Sequence, residues 1–579
     1  MAASSAWRHV LCLLIVAGQC SCENTTCADD ISMLQTRSKG RHPILSSVEL
    51  QHLKRPERWH GVNYGNRFVP EDWIKYPYDF FENVTDKGGP RSALWDLPPG
   101  KASKELMLTW LNQTIQESHF QQMQSMGVEV MRLPVGYWNF VTYENDEGPA
   151  VPKDFEHFKE RLKNLHRIAT PEDYKPYFDQ IFSFASKYGV KVLLDLHGVP
   201  GSQNGEIHSG ACMRDSGGQK VDFFQMKGNT ENREMALKAI RAMAKYSKDK
   251  DALWGIQVIN EPHLHNDQEH HFLKSFFKDS CKAIREEGIP VDKPCVVFTW
   301  TFDMLKWIDW NDLIIFPPEI YGRVIFDTHL YHFEGSQEHW TLEDAKKSYN
   351  SDLELMRRFF LDANIELIVG EYTLAGNSFS GEEQKAFAQW LVNELDFSSM
   401  GSFFWTFDCH FDSWSLVTTN QAVRWREVWR PDRDDCIPYN RLQLRNSGGY
   451  LSAQDNGAVQ LAPEGRFWET WQTCYKKSSA KLPGAVQMSF RSIAHGNFLS
   501  VSDTQKVSLA PHRQGWETFE MLGFQQAQQM AEYEPCQVRS FHETWLSAGP
   551  GPVAAVVAVP SSAVNAPFWE VIPTWDPML

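Results

Sequence analysis

The sequence lacks three features that would place it in other functional classes. After residue 22 it has no apolar run long enough to cross a bilayer. It has no long basic run, and its formal net charge of −16 repels nucleic-acid phosphates. It also has no HExxH or comparable spacing of metal ligands. We therefore expect no membrane span, no nucleic-acid partner, no metal and no cofactor.

Cysteine is scarce, and its pattern does not indicate a metal site. Eight of the 11 cysteines follow Cys22, with no metal-ligand spacing among them. The N-terminus has a basic start at Arg8 and the apolar run VLCLLIVAG, followed by small residues, which predicts a secretory signal peptide over 1–22. Residues 23–55 are polar without clear periodicity, and we interpret them as a leader or pro-segment. A secreted, extracellular or cell-wall protein is the prediction, in which disulfides are permitted. Glycosylation sequons are present at Asn24, Asn83 and Asn112.

Size and composition indicate a soluble protein of two domains. With 579 residues the chain exceeds the size at which one hydrophobic core stops growing. Its 42% hydrophobic and 22% charged residues are typical of globular proteins. The 22 tryptophans are many, and they fit both large cores and platforms on which sugars stack.

Eight short apolar, β-rich runs alternate with longer amphipathic stretches between residues 56 and 432. Near-continuous hydrophobicity is typical of strands buried on both faces, and eight such strands are the number in a (β/α)8 barrel. The runs are WHGVNYG, VEVMRLPVG, KVLLDLHG, WGIQVINEP, PCVVFTW, RVIFDTHLY, ELIVGEY and GSFFWTF. We expect helices over 103–126, 172–188, 230–246, 266–288, 342–363 and 382–395, with a less regular connection after the fifth run. The predicted fold class is therefore an α/β TIM barrel over 56–432, followed by a second domain.

Two of the runs end in a glutamate. The run Trp254–His263 delivers Glu261 where Pro262 stops the strand, and about 110 residues later ELIVGEY delivers Glu371. A parallel barrel keeps its chemistry at these strand ends, and paired carboxylates suit acid/base or nucleophilic work on a glycosidic bond. Taken singly, either glutamate is equally well read as an ordinary strand-end carboxylate in solvent.

Other polar or aromatic side chains follow the remaining runs. A barrel brings these ends together, so residues far apart in sequence are predicted to surround one ligand. Each also has a simpler reading, as a salt-bridge partner, a satisfied core histidine or a packing aromatic. A metal site built from His197, His208, His329 and glutamates has no supporting ligand spacing. The candidates are Arg132, His197, Asn260, His329, Tyr331 and Trp405.

An ordered series of motifs carries a family resemblance. The series is HGVNYGNRFVPEDWI, MRLPVGYW, LDLHGVPGSQNG, GIQVINEP, FDTHLYHF, IVGEY and FFWTF. From about residue 59 to 430 the sequence resembles the family 5 glycoside hydrolases, and within them the fungal-type exo-β-1,3-glucanases. The resemblance implies that Glu261 is the acid/base and Glu371 the nucleophile of a retaining mechanism. Retention requires a carboxyl separation of about 5 to 5.5 Å, and Glu261 would need a raised pKa to hold its proton.

The same resemblance implies roles for the residues around the two carboxylates. Asn260 would bind the sugar 2-hydroxyl, and Arg132 and Tyr331 would hold the nucleophile. His197 and His329 would contact the sugar or the carboxylates. Further roles are implied for Trp405 as the floor of the sugar subsite and for Glu71, in VPEDW, as the carboxylate that grips outer hydroxyls.

One wall departs from the family pattern. Fungal-type relatives usually place an aromatic after Gln-Asn-Gly, but here Glu206 follows Gly205, and the inserted segment SGACMRDSGGQK changes the same wall. Trp300 and Phe302 either replace the lost platform or belong to the core. Exo-action and β-1,3 preference therefore stay open.

The C-terminal region, 436–575, contains an internal repeat. GGYLSAQ, GNFLSVS and ETWLSAG are each followed by FWETW, GWETF or FWEVI. Three units of roughly 48 residues predict a β-trefoil, in which the repeated aromatic and leucine positions are mostly core. The repeats resemble fascin-like trefoils more than ricin-type lectins, which implies carbohydrate or protein-filament binding.

The functional prediction is a secreted, monomeric, retaining glucan exo-1,3-β-glucosidase that acts on β-glucan polysaccharide or oligosaccharide. The alternatives are a β-glucosidase, an endo-glucanase or a transglycosylase on another β-linked glucan. A catalytically inactive carbohydrate-binding protein is the alternative from a different class, and intact Glu261 and Glu371 argue against it.

Overall fold

The computed structural model describes most of the chain after residue 58. Described are residues 59–81, 93–224, 230–309, 316–332, 340–363, 365–376, 379–429, 436–475, 481, 485–511, 516–522, 536–548, 556–560 and 568–573. The predicted signal peptide (1–22) and leader (23–55) lie outside these residues, as do the sequons at Asn24 and Asn83. No helix among the described residues is both long and apolar enough to span a bilayer.

The N-terminal part is a closed barrel of eight parallel strands in sequence order, with β1 paired to β8. The strands are buried almost throughout, which is why their sequences are nearly continuous in hydrophobicity. This confirms the predicted (β/α)8 TIM barrel. The strands are β1 Trp59–Asn63, β2 Val130–Gly136, β3 Lys191–Gly198, β4 Leu253–Gln257, β5 Cys295–Phe298, β6 Val324–Leu330, β7 Leu367–Tyr372 and β8 Gly401–Phe404.

Helices surround the barrel, and local sequence signals set several of their ends. One begins after Thr170 with Pro171 in its first turn and ends at Gly189, whose φ of 70° suits glycine. In order they are α1 Lys101–Thr114, α2 Glu117–Met126, α3 Lys159–Ile168, α4 Pro171–Tyr188, α5 Thr230–Ser247, α6 Asp267–Glu286, α7 Met304–Asp309, α8 Pro318–Tyr321, α9 Leu342–Ser348, α10 Asn350–Arg357, α11 Gly381–Ser398, α12 Leu416–Val423 and α13 Trp425–Val428. The two helices described after β5 are short, in line with the irregular connection predicted there.

The single helix predicted over 103–126 is wrong, because α1 and α2 are separate. The chain turns extended after Thr114, although neither glycine nor proline interrupts it. The Thr114 carbonyl accepts hydrogen bonds from the Tyr64 hydroxyl at 2.9 Å and from Arg67 Nε at 3.3 Å. Tertiary donors thus replace the helical N–H at this point, which no local pattern shows.

A disulfide joins a surface helix to the barrel. Cys281 in α6 is bonded to Cys295 at the start of β5, 14 residues further along the chain. Among the described side chains, Cys409 and Cys536 are buried thiols.

The C-terminal part is an antiparallel β domain with its own hydrophobic core. Three hairpins, β10–β11, β14–β15 and β18–β19, alternate with strands that pair in the order β9, β12, β13, β16, β17, and β20 pairs back to β9. This confirms a barrel followed by an all-β domain. The strands are β9 Cys436–Asn446, β10 Gly449–Ala453, β11 Val459–Ala462, β12 Trp471–Tyr475, β13 Ala485–Ser492, β14 Phe498–Val501, β15 Val507–Ala510, β16 Phe519–Leu522, β17 Gln537–Ser540, β18 Thr544–Ala548, β19 Val556–Pro560 and β20 Glu570–Pro573.

Two arginines link the β domain to the outside of the barrel. Arg491 of β13 lies 3.8 Å above the ring of Phe397 in α11 and pairs with Glu394 of the same helix. From the barrel side, Arg357 lies 3.6 Å from Glu394 and donates to the carbonyl of Ala494 at 3.3 Å. Both guanidinium groups are buried, so this contact is part of the packed interior.

Candidate active site

The two predicted catalytic carboxylates line one cavity of about 1050 Å³ at the carboxyl ends of the barrel strands. Glu371 lies in β7, whereas Glu261 follows β4 by four residues and has a φ of 42°, in the left-handed region. An oxygen of each carboxylate and a ring nitrogen of His329 lie within 4.8 Å of one another. The fold thus brings together two glutamates that are 110 residues apart in sequence.

Glu371 is held by two donors. Arg132 Nη1 donates to one carboxylate oxygen at 2.8 Å, and the Tyr331 hydroxyl donates to the other at 2.6 Å. Burial, together with the Glu371 carboxylate, raises the pKa of Tyr331 well above its usual value, so this hydroxyl stays a donor. Such charge-assisted hydrogen bonds fix the orientation of the Glu371 carboxylate.

Arg132 is itself fixed by a buried polar network at the base of the cavity. Its guanidinium donates to Asn63 and Gln257 at 2.8 Å and to Asn260 at 2.7 Å. It also lies 3.1 Å from Asp195 Oδ2. Because each nitrogen of the guanidinium group has a hydrogen-bond acceptor, the cation is satisfied although it is fully buried.

Glu261 lies between two histidines. Its Oε1 contacts His329 Nδ1, and its Oε2 lies 3.3 Å from His208 Nε2. Burial raises the pKa of Glu261, but the neighbouring imidazolium groups outweigh this and hold it well below its usual value. Burial lowers the pKa of both histidines, but nearby carboxylates outweigh it. Glu371 and Glu261 raise the pKa of His329 to about 10, and Glu261 raises that of His208 to about 9. The structure thus lowers the pKa of Glu261, opposite to the raised pKa that the role predicted from the sequence requires.

The loop that carries Glu261 is held by hydrogen bonds on both sides of it. Asn204 Nδ2 donates to the Glu261 carbonyl at 3.1 Å, and Trp300 Nε1 donates to the Pro262 carbonyl at 3.0 Å. These contacts hold a non-glycine residue in a backbone region that costs of order 1 to 3 kcal/mol, an arrangement typical of functional sites.

His197 and Trp405 form one side of the cavity. Their rings stack with centroids 5.7 Å apart and planes 9° apart. His197 Nδ1 is 2.6 Å from Asp195 Oδ2, and burial lowers the pKa of this histidine. A neutral ring with Nδ1–H donating leaves Nε2 as an acceptor facing Asn260 at 3.5 Å.

Glu71 lines the cavity in a group of aromatic side chains. Trp73 Nε1 donates to its carboxylate at 2.8 Å, and the Trp73 ring meets Trp414 edge to face at 5.0 Å. Burial raises the pKa of Glu71 to about 7. Its charge therefore changes near neutrality.

The wall that departs from the family pattern is an ordered β-turn segment. Arg214 and Lys220 form an antiparallel bridge, and both cations pair with the buried carboxylate of Glu206. Trp300 and Phe302 line the cavity with their rings parallel at 6.1 Å, and Phe302 is 68% exposed. The exposure of Phe302 argues against a core role, so these rings remain available to a ligand.

We assign no metal to the cluster of Glu261, His329 and Glu371. Each carboxylate is already occupied by N–H or O–H donors, and the guanidinium of Arg132 lies 2.8 Å from Glu371. A divalent cation would have to replace these donors and lie beside a fixed positive charge.

The family model described as Cellulase (glycosyl hydrolase family 5) matches residues 97–410, more than half of the chain. The chain belongs to glycosyl hydrolase family 5. In this family 5 glycosidase the match spans β2 to β8, and so it includes both cavity glutamates.

Named relatives of this family 5 chain are fungal. It is 27% identical over 320 residues to probable glucan 1,3-beta-glucosidase A of Emericella nidulans, covering 55% of this chain and 67% of the relative. It is 30% identical over 302 residues to glucan 1,3-beta-glucosidase 2 of Wickerhamomyces anomalus, covering 50% and 61%. The chain thus spans about two thirds or less of the relatives it matches. Among solved structures, rutinosidase from Aspergillus niger matches with a TM-score of 0.48 and 16% identity, over 64% of this chain and 98% of the other.

The cavity brings together eight of the nine predicted site residues, and Arg132 lies directly beneath them. The eight that line it are Glu71, His197, Asn260, Glu261, His329, Tyr331, Glu371 and Trp405. His208 was not predicted as a neighbour of Glu261, although the sequence places it four residues after Asn204 and directly before the inserted segment. Four polar residues inside the barrel were also missed, because each lies within one of the apolar runs of the sequence rather than after it. They are Asn63, Asp195, Gln257 and Asp327.

Proposed function

We propose that this family 5 enzyme is a retaining β-glucan hydrolase with Glu371 as nucleophile and Glu261 as acid/base. The observation that carries the proposal is a pair of carboxylates, one oxygen of each lying within 4.8 Å of the other, with Arg132 and Tyr331 on Glu371 and His208 beside Glu261. This distance supports the short separation of retaining enzymes over the wider one of inverting enzymes.

The hydrogen bonds on each glutamate support different roles. Arg132 and Tyr331 donate to Glu371 and orient its carboxylate for attack, while His329 Nδ1 lies further off, at 3.5 Å. The Glu371 oxygen attacks the anomeric carbon as the glycosidic bond breaks. Glu261 adjoins two imidazoles that hold protons, so a proton passes through Glu261 to the leaving oxygen. Water then attacks the anomeric carbon, gives its proton to Glu261 and releases Glu371.

For the substrate we propose a β-glucan, with release of glucose from 1,3-linked chains. The names of the fungal relatives support this linkage. The outer carboxylate Glu71 beside Trp73 suits hydroxyls of a terminal sugar. A β-glucosidase, endo-glucanase or transglycosylase acting on another linkage is the second candidate, because Glu206 with its two cations occupies the place of an aromatic.

The proposal extends to location and organisation. Secretion through a signal peptide at 1–22 is supported by the disulfide between Cys281 and Cys295. We divide the chain into a leader to residue 55, a barrel over 56–432 and a trefoil over 436–575. Three alternating hairpins around a shared core support the trefoil assignment.

The experiment is product analysis on laminarin, cellulose, pustulan and aryl β-glucosides, with wild type beside Glu371→Ala. Glucose from laminarin, absent in the variant, is the expected result. Oligosaccharides, or activity on another glucan only, would keep the mechanism and replace the specificity. No hydrolysis of any glucoside, with glucan binding retained, would instead support an inactive binding protein.

A further inference from the structure

Two exposed tryptophans recur in the β domain with the same neighbour. Trp468 is 38% exposed and Trp516 is 42% exposed. Trp468 meets His495 with ring centroids 5.3 Å apart and planes at 63°, and Trp516 meets His542 at 5.4 Å and 62°. The near-identical geometry indicates one arrangement built twice.

The residue after each tryptophan fixes the backbone. Glu469 is buried and accepts a hydrogen bond from Ser452, and Glu517 is buried and accepts one from Ser500. Each serine belongs to the first strand of the hairpin in its own repeat. A carboxylate anchored below the surface therefore holds the neighbouring indole outward. Each histidine comes from the turn that opens the following repeat.

Neither member of the pair is present where the third repeat meets the first. Trp569 is buried and donates to a leucine carbonyl of its hairpin, as Trp471 does in the first repeat. Three residues before Trp471 the sequence has Trp468, but three residues before Trp569 it has Ala566. The opening turn of the first repeat, NSGG at 446–449, has no histidine. Tryptophan and histidine are thus present together or absent together, although the core aromatic is kept.

We propose that each of these two Trp–His pairs binds a glucosyl unit of a β-glucan chain. The indole face matches the face of a β-glucosyl ring, because all ring substituents of β-glucose are equatorial and only C–H bonds point to the face. The imidazole forms the edge of this platform, and in the first pair it is held in place by the Ala453 carbonyl, 3.2 Å from His495 Nε2. A core role does not explain rings that keep about two fifths of their surface in solvent.

Repetition argues for a polymer as the ligand. A protein filament repeats only at the spacing of whole subunits, whereas a polysaccharide offers the same small unit to both pairs of one domain. Two weak sites on one rigid domain then bind much more tightly than either alone. The choice of β-glucan among polysaccharides rests on the function proposed for the barrel.

The test is co-sedimentation of the full chain with insoluble β-1,3-glucan, carried out in a Glu371→Gln background so that the polymer is not degraded. We compare Trp468→Ala, Trp516→Ala, the double variant and the control Phe568→Ala, which removes an aromatic side chain that is 60% exposed in the same domain. Each single variant is expected to lose about tenfold in affinity and the double variant about a hundredfold, with the control unchanged. Thermal unfolding verifies that all variants are folded.

Unchanged binding by the double variant would overturn the proposal, as would an equal loss in the control. A change in self-association instead of glucan binding, measured by sedimentation velocity, would overturn it too. Glucose release from soluble laminarin by the chain with intact Glu371 is scored separately. Binding without hydrolysis would reject the proposed function alone, and hydrolysis with binding insensitive to both tryptophans would reject this proposal alone.

Discussion

The charge of Glu71 gives a quantitative test of the sugar-binding part of the site. Its carboxyl group is buried in the cavity wall, and burial raises its pKa to about 7. The group is therefore a carboxylate above that pH and a neutral acid below it. If it accepts hydrogen bonds from the terminal sugar, the substrate should bind more weakly as the pH falls through 7.

The size of the effect follows from hydrogen-bond energies. A hydrogen bond to a charged acceptor contributes about 1 kcal/mol more than one to a neutral acceptor. Two sugar hydroxyls on the Glu71 carboxylate then give about 2 kcal/mol, so bound sugar lowers the pKa of Glu71 by about 1.5, and KM should rise roughly twentyfold between pH 8 and pH 5, with the midpoint of the rise a little above pH 6.

The assay measures KM and kcat for an aryl β-glucoside from pH 5 to 9. Glu71→Gln should have a high KM that does not change with pH, because the amide does not titrate. Trp73→Phe removes the N–H that donates to the Glu71 carboxylate at 2.8 Å and should move the midpoint to higher pH. A wild-type KM that is flat across this range, or a Glu71→Gln variant that keeps the pH dependence, would refute the reasoning.

Three further predictions concern other parts of the molecule. Arg132→Met removes the cation from the buried carboxylates around it, so it should destabilise folding by about 3 to 5 kcal/mol in chemical denaturation and lower kcat/KM at least about a thousandfold; an Arg132→Met variant with wild-type stability or activity would contradict this. Replacing Cys281 and Cys295 by serine opens a 14-residue loop and should cost about 3 kcal/mol of stability, and reductant should lower the denaturation midpoint of the wild type equally. Glu206→Gln releases Lys220 and should raise KM for laminarin oligosaccharides about fivefold while leaving an aryl glucoside nearly unchanged, because the pair lies on the wall that departs from the family pattern; an equal effect on both substrates would count against that placement.

The sequence predicted the barrel because its strands are buried on both faces and leave continuous apolar runs. It also predicted the cavity residues that follow such runs, since a barrel brings those ends to one face. Glu261, Glu371 and Tyr331 were found in this way, whereas Arg132 was predicted after a run and lies inside β2. These positions depend only on strand order and periodicity, which are local properties of the chain.

Features that depend on contacts between distant segments were not predicted. His208 lies in a loop, and only the folded chain brings its ring to Glu261. The lowered pKa of Glu261 follows from His329 and from that contact, whereas the predicted role as an acid called for a raised one. The break after Thr114 has the same origin, because the side chains that bind its carbonyl lie about 50 residues earlier.

The shared carboxylate between the two parts of the chain has a consequence for how the protein denatures. Glu394 of the barrel serves both Arg357 and Arg491, and both guanidinium groups are buried. Separating the β domain would take Arg491 away from the Glu394 carboxylate and the Ala494 carbonyl away from Arg357, and breaking such buried pairs is costly. The two parts should therefore melt in a single calorimetric transition, so that damage to either one lowers the heat tolerance of the whole enzyme.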